Sequence, residues 1–314
     1  MTKIKDGVFG AAIGDAMGVP IEFKRREELL DNPVTSMIGG GTYNMPAGVW
    51  SDDTSLTLAT MDSIIKSNRL DYKDMADRFC LFMNKGEYTA TGTVFDIGST
   101  TKIALEKYLE EGVNPILCGG DKLSDNGNGS LMRMFPIALY CHYNNLKDDE
   151  VLNVVKKVSS ITHAHEVSVL GCFIYVLYVM FLLNGKDKYA SYNMIKCYDY
   201  SLYFDSDIVE YYNRLLKTNI AKLRVEDLKS EGYIVYTLET ALWVILNSRS
   251  FAESIVGAIN LGGDTDTIGS IVGGIAGMMY GLEDVPEKWT MALKGKDILE
   301  EIIKSFEELL GVYE

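Results

Sequence analysis

Gly262-Gly263-Asp264-Thr265-Asp266-Thr267-Ile268-Gly269-Ser270-Ile271-Val272-Gly273-Gly274-Ile275-Ala276-Gly277 is the stretch on which the fold turns. Its second half sets Gly269, Gly273 and Gly277 four residues apart, and Gly10, Gly14 and Gly18 repeat that spacing near the N-terminus. An interior glycine costs a helix about 1 kcal/mol relative to alanine, so two such rows ask for a reason. Spacing of four puts each row on one face of a helix, where missing side chains let two backbones approach closely. The two glycine faces are expected to pack in the middle of the domain, against each other.

Away from these stripes the pattern stays helical. Apolar residues recur every three or four positions near 3–19, 54–68, 71–84, 97–111, 148–161, 165–183, 207–217, 233–247, 251–260, 267–281 and 296–310. Turn signals fall between them, among them Asn32-Pro33, Gly39-Gly40-Gly41, Asn114-Pro115, Asn184-Gly185 and Gly262-Gly263. Period-two alternation is nearly absent, and no linker or repeat divides the chain. The expectation is one all-α domain over residues 1–314, built from roughly a dozen helices.

Composition narrows the function. Apolar residues make up 47% of the 314 and charged residues 24%, enough for a full core and unlike a disordered chain. Acidic residues outnumber basic ones 44 to 30, for a net charge of −14. Such a surface repels nucleic acid and anionic membrane, and Lys24-Arg25-Arg26 is too isolated to make a basic patch. Five cysteines without a C-x-x-C read as reduced, mostly buried thiols of a cytoplasmic protein. The N-terminus enters an amphipathic pattern without a signal-peptide core. The uncharged run Val167–Leu183 is shorter than the ~20 residues of a membrane span and reads as a buried core helix. A monomer is expected, since no coiled-coil seam accompanies the acidic surface.

The chemistry should lie where carboxylates crowd. Asp264, Asp266 and Thr267 open a glycine-faced helix. Capping needs one such residue, and two aspartates about 4 Å apart repel by roughly 4 kcal/mol at an effective dielectric near 20. A divalent cation offsets that repulsion. An EF-hand is excluded, because its twelfth loop position falls on Ile275 instead of glutamate. Ser51-Asp52-Asp53-Thr54 repeats the hydroxyl–carboxylate chemistry at a second helix start. Together the clusters could form a two-metal site of oxygen ligands, and the absence of His or Cys nearby favours Mg²⁺ or Mn²⁺ over zinc. The loop Asp125-Asn126-Gly127-Asn128-Gly129-Ser130 offers backbone N–H groups of the kind that bind phosphate. In Thr162-His163-Ala164-His165 the two histidines diverge on a helix, so a substrate contact or a cap is expected in place of a ligand pair.

These motifs, taken in order, resemble the ADP-ribosylglycohydrolases, the kind that reactivate ADP-ribosylated dinitrogenase reductase. The likeness runs through Gly14-Asp15-Ala16-Met17-Gly18-Val19-Pro20-Ile21-Glu22-Phe23, Ser51-Asp52-Asp53-Thr54, Phe95-Asp96-Ile97-Gly98-Ser99, Gly127-Asn128-Gly129-Ser130-Leu131-Met132-Arg133, Thr162-His163, Gly232-Tyr233 and Gly262–Thr267. It implies an orthogonal helical bundle around a central dimetal site, with Ser51, Asp52, Asp53, Asp264, Asp266 and Thr267 as ligands of two Mg²⁺ or Mn²⁺ ions. It implies Glu22 as acid/base and sets Asp96 beside the distal ribose; a carboxylate has to move the proton, and Glu22 is expected to do so first, Asp96 second. Gly98 and Ser99 would line the distal ribose and phosphate, the stretch Asn126, Gly127, Asn128, Gly129 and Ser130 the diphosphate, and His163 the adenosine end. Tyr236 departs from the histidine that many relatives carry there. The implied reaction is metal-dependent hydrolysis of the glycosidic bond joining ADP-ribose to an acceptor, a protein arginine or serine or a small molecule. The acceptor is expected to be chosen by rim loops near 31–48, 86–94 and 114–126. Two other readings stand beside this one: a silent ADP-ribose-binding or structural relative, and a Mg²⁺-dependent prenyl-diphosphate enzyme. The latter needs an aspartate where this chain has Leu56.

Overall fold

The computed structural model describes residues 2–312. Thr2 starts the helix Lys3–Gly18 by accepting a hydrogen bond from the Lys5 amide at 3.1 Å. From Gly7 to Gly18 every residue of this helix is buried, as is every residue of the helix Thr265–Tyr280 from Thr265 to Met278. A helix buried all round is a core element, and these two form the axis of the molecule.

They run antiparallel, glycine face to glycine face. A Cβ on Gly10 would lie 2.3 Å from the Gly273 carbonyl oxygen, one on Gly14 1.9 Å from the Gly269 oxygen, and one on Gly18 2.4 Å from the Asp266 Cα. From the other side, a Cβ on Gly273 would lie 2.1 Å from the Gly10 oxygen and one on Gly277 2.2 Å from the Asp6 oxygen. No side chain but hydrogen fits, which explains both glycine rows. The seam ends at the chemistry: the Thr265 hydroxyl donates to the Gly18 carbonyl at 2.9 Å, tying the end of one helix to the start of the other.

Around this axis the described residues form sixteen α-helices and nine short 3₁₀ turns, with isolated bridges and no sheet. Twelve of the α-helices have nine residues or more, matching the expected dozen. The expected helix at 207–217 is instead two short pieces, Ser206–Glu210 and Asn213–Lys217. Between them Tyr212 is fully buried and its hydroxyl donates to the Val167 carbonyl at 2.7 Å, which pulls the backbone out of line. The helix Lys188–Cys197 was not expected. Its few core contacts come from Tyr192 and Ile195, and its start is set by Asp187, which accepts from the Tyr189 and Ala190 amides.

The apolar helix Glu166–Leu183 has 72% of its most apolar window buried inside the protein and is a core helix. The five cysteines are unpaired; Cys118, outside any apolar helix, is nevertheless buried, and Cys197 is the exposed one.

The seam yields a paired prediction. Gly14→Ala forces the two backbones apart and should destabilise the protein by about 2 kcal/mol, as overpacked cores do. Gly274→Ala, whose Cβ would meet Phe135 at an ordinary 3.5 Å, should leave stability unchanged or raise it by up to about 1 kcal/mol. Chemical denaturation of both variants checks this; equal effects would contradict the seam.

Candidate active site

Where the seam helices leave the core, three carboxylate groups converge. Ser51 caps the helix Asp52–Ser67, its hydroxyl accepting from the Asp53 amide at 3.3 Å. The same hydroxyl donates to Asp53 Oδ2 at 3.2 Å. Asp15, on the N-terminal seam helix, holds this corner from behind. Its Oδ1 accepts from the Ser51 amide at 2.9 Å, and its Oδ2 from the Thr54 amide at 3.0 Å and the Thr54 hydroxyl at 2.6 Å.

The Asp264–Thr267 turn meets this corner across 214 residues of sequence, through a hydrogen bond from the Thr267 hydroxyl to Asp53 Oδ2 at 3.1 Å. Asp264 occupies the cap position of its helix, yet its side chain makes no capping bond. Instead its Oδ2 accepts from the Asn128 amide group at 2.8 Å. Arg26 stabilises the approach to this turn by donating to the Leu261 and Leu228 carbonyls at 2.8 and 3.1 Å.

Glu22 and Asp96 complete the group. Glu22, Asp96 and Asp266 each present a carboxylate oxygen within 4.8 Å of the other two. Glu22 follows the 3₁₀ turn Val19–Ile21, and Phe23 after it is held at a left-handed φ of 63° by its amide's hydrogen bond to the Gly263 carbonyl at 2.7 Å. Phe23 is 68% exposed at the cleft rim, while Glu22 is 5% exposed. Glu22 Oε2, Asp53 Oδ1 and Asp266 Oδ2 are buried and have no hydrogen-bond partner. Buried carboxylate oxygens without donors are costly, and three in one place fit a cation.

Electrostatics bears this out. Burial first, then the charge of Asp96, pushes Glu22 up to about 8. Burial, then Asp264, pushes Asp96 up to about 6. Burial also raises Asp52, Asp53 and Asp266 well above the usual carboxylate range, with Asp96, Asp15 and Glu22 respectively the largest neighbouring charge. No lysine or arginine lines the cleft to answer them.

The cleft itself has a volume of about 420 Å³. Glu22, Asp52, Asp96, Asp264 and Thr267 line it on the acidic side; Gly98, Ser99, Gly127, Asn128, Gly129 and His163 continue it. Asp53, Asp266 and Ser51 lie behind that wall, buried. Gly98 is bonded to the acidic cluster, its amide donating to Asp52 Oδ2 at 3.4 Å, and it leads into the helix Ser99–Glu111.

Two residues of the glycine loop sit behind it. Asn126 spends both ends of its amide on the protein, accepting from the Ser168 amide and hydroxyl and donating to the Leu123 carbonyl and His165. The Ser130 hydroxyl is fully buried, paired with Ser159 at 3.0 Å and Cys172 at 3.3 Å. The loop therefore faces the cleft through Gly127, Asn128 and Gly129. Of the histidines, His165 caps the helix Glu166–Leu183 and His163 reaches the cleft. Tyr236 packs on Tyr233 and accepts from Lys229, away from the cleft.

Sequence reasoning did not single out Tyr43, whose hydroxyl stands beside Glu22 and Asp96 and partly offsets the rise in each. Its ring packs on Phe95 at 5.0 Å. It belongs to the expected rim loop 31–48, although none of the stretches 31–48, 86–94 and 114–126 lines the cleft itself. Thr101, with a buried hydroxyl lacking a partner, was also missed and lines the same wall. Neither carries a sequence signal, since both depend on how loops and helix ends close on the acidic corner.

The all-helical body with a polyacidic cleft at the end of its central seam is that of a class its relatives define, the hydrolases of glycosidic bonds. The chain belongs to the ADP-ribosylglycohydrolase family, whose model matches residues 1–314, and it is an enzyme of that kind, releasing ADP-ribose from an acceptor. It is 32% identical over 292 residues to the ADP-ribosylarginine hydrolase Tri1 of Pseudomonas putida (strain GB-1), covering 92% of this chain and 73% of that one. The Tri1 of Serratia proteamaculans (strain 568) is 30% identical over 295 residues, 92% of this chain and 74% of that one. The ADP-ribosyl-[dinitrogen reductase] glycohydrolase of Rhodospirillum rubrum is 29% identical over 311 residues, 96% of this chain and 94% of that one. A solved ADP-ribosylglycohydrolase-related protein complex superposes with a TM-score of 0.80 at 27% identity, covering 98% of both chains.

The raised carboxylates set a pH dependence. With Glu22 at about 8 folded and near 4.5 unfolded, the folded chain holds the extra proton between those values. Its stabilising contribution is complete below the lower value and lost as pH rises through the upper one. In chelator, Tm should therefore fall from about pH 5.5 to about pH 8, and a saturating divalent cation should shrink or reverse that fall. A Tm that rises with pH in chelator would contradict the assignment.

Proposed function

We propose that this enzyme hydrolyses the N-glycosidic bond between the distal ribose of ADP-ribose and an arginine guanidino nitrogen, using two divalent cations. The observation that carries the reading is the trio of buried carboxylate oxygens without partners, on Glu22, Asp53 and Asp266, in a cleft without basic side chains. The donor set, carboxylates and hydroxyls only, suits Mg²⁺ or Mn²⁺. Ser51, Asp52, Asp53, Asp264, Asp266 and Thr267 would hold the ions. When bound, they supply positive charge and Lewis acidity at the distal ribose.

The chain's own groups do the rest. Gly98 and Ser99, at the start of the helix Ser99–Glu111, and the Gly127–Gly129 loop both line the cleft, and a helix start and a glycine loop side by side suit a diphosphate. That arrangement spans the substrate from His163 at the adenosine end to the acidic corner at the distal ribose. Glu22 moves the proton: protonated, its unpartnered Oε2 would give one to the leaving nitrogen, and the carboxylate so formed would take one from the attacking water. Asp96 and Tyr43 flank it and tune its affinity for that proton.

Arginine as acceptor rests on two supports. The relatives of highest identity reported above are ADP-ribosylarginine hydrolases. The exit beside Glu22 is also built for a cation, with Asp96 and the exposed ring of Phe23 on its rim and no basic side chain among the cleft-lining residues.

Incubation with ADP-ribosyl-arginine and with an ADP-ribosyl-serine peptide, in Mg²⁺ or Mn²⁺ and after chelation, tests the reading. Release from arginine that stops on chelation is expected. Release from serine alone would remove the arginine assignment, and release unaffected by chelation, or none, would overturn the proposal. Asp53→Asn should weaken metal binding and turnover roughly 100-fold. Glu22→Gln should lower kcat by about 10²–10⁴-fold while calorimetry still records the metal binding.

A further inference from the structure

Arg133 is fully buried, and the groups it bonds are neutral. Its Nη1 donates to the Val158 carbonyl at 3.1 Å, its Nη2 donates to the Thr162 hydroxyl at 2.7 Å, and its guanidinium lies 4.7 Å from the centre of the Phe79 ring. Nε has no partner. Burial lowers its pKa only to about 10, so it remains a cation. A buried cation without a counter-charge is an expensive brace where a neutral donor would serve, and what it does to its neighbours is informative.

Arginine can only donate, so Thr162 Oγ1 accepts from it. The hydroxyl has no other acceptor among the described residues than His163 Nδ1, at 2.8 Å, so satisfying its own hydrogen sends that hydrogen to the ring nitrogen. A ring nitrogen that accepts carries no proton, so in the neutral imidazole the proton sits on Nε2. The ring is neutral because burial, and then the positive charge of Arg133, push its pKa down to about 3, against a weaker opposing pull from Asp125. The backbone fixes the ring's direction: the His163 amide donates to the Ser159 carbonyl at 2.7 Å, and its carbonyl accepts from the Ser159 hydroxyl at 2.7 Å. Nε2 has no protein partner among the described residues. It lies 3.5 Å from where Cβ atoms on Gly127 and on Gly129 would stand, so the ring packs against those two glycines in the wall of the cleft.

We infer that Arg133 and Thr162 are positioning residues that lock His163 as a neutral Nε2–H donor, aimed at a phosphate or ribose oxygen of the ADP-ribose moiety. The ligand half of this inference rests on the proposed function; the tautomer half does not. The guanidinium does two things at position 133. As a group that can only donate, it turns the threonine hydrogen toward the imidazole, and its charge adds to burial in keeping the imidazole from becoming protonated.

Long-range ¹H–¹⁵N correlation of the histidine rings, with His163 assigned by His163→Gln, reads the tautomer without any ligand. Calorimetry with free ADP-ribose and Mg²⁺ reads the binding. The wild-type ring is expected as Nε2–H, unchanged across neutral pH. Thr162→Val should shift it toward Nδ1–H or a mixture and weaken ADP-ribose about tenfold, and Thr162→Ser should restore both. A wild-type Nδ1–H ring, or a Thr162→Val protein that keeps the wild-type tautomer, would overturn the relay. If the wild-type ring is Nε2–H but the protein binds no ADP-ribose, the ligand half falls together with the proposed function, and the tautomer half stands.

Discussion

The contact between the glycine faces of Lys3–Gly18 and Thr265–Tyr280 is the constraint from which the rest of the molecule follows. Two helices from opposite ends of the chain are pressed backbone to backbone, and the last step of that seam sets Gly18 against Asp266. Glu22 follows within four residues of one helix end, and Asp264 and Asp266 open the other. Asp15, on the same buried helix, anchors Ser51 and Thr54 and so draws in the second cluster. The acidic corner is a by-product of no single loop; it is where the seam terminates.

That placement opposes the electrostatics of the residues it gathers. Each carboxylate is deprived of water and faces others, and several respond by rising well above their ordinary pKa. Donors within the protein satisfy one oxygen of Asp53, from Ser51 and Thr267, and one of Asp264, from Asn128, while other oxygens are left bare. A fold selected for stability alone would replace such a group with apolar side chains. Its retention beside a cleft of substrate size is the mark of chemistry. The two ends of the cleft differ: at the acidic corner burial and mutual repulsion push carboxylates toward the protonated form, and at His163 burial and then the charge of Arg133 keep the ring unprotonated.

Much of this could be read from residue order because the signals were strong and periodic. Glycines four apart on two helices announce their mutual contact, and the convergence of Ser51–Asp53 with Asp264–Thr267 follows from shared chemistry, which the bond between Thr267 and Asp53 makes concrete. Glu22 and Asp96 were legible only through the family resemblance, since alone each resembles a surface carboxylate. Asn126 and Ser130 sit in the same motif as Gly127 and Gly129, yet their side chains turn into the core, because a motif records which residues recur and not which way they point. Tyr43, Thr101 and the relay through Arg133 had no local signature: each depends on contacts with residues distant in sequence. The break at Tyr212 was hidden for the same reason, a single tertiary hydrogen bond overriding a helical pattern.

If the seam holds these carboxylates together so that they share cations, crystals grown with Mn²⁺ should show it by anomalous diffraction. Two manganese peaks are expected among Asp52, Asp53, Asp264, Asp266 and Thr267. A cleft free of anomalous signal at saturating Mn²⁺, or peaks confined to the outer surface, would contradict the account.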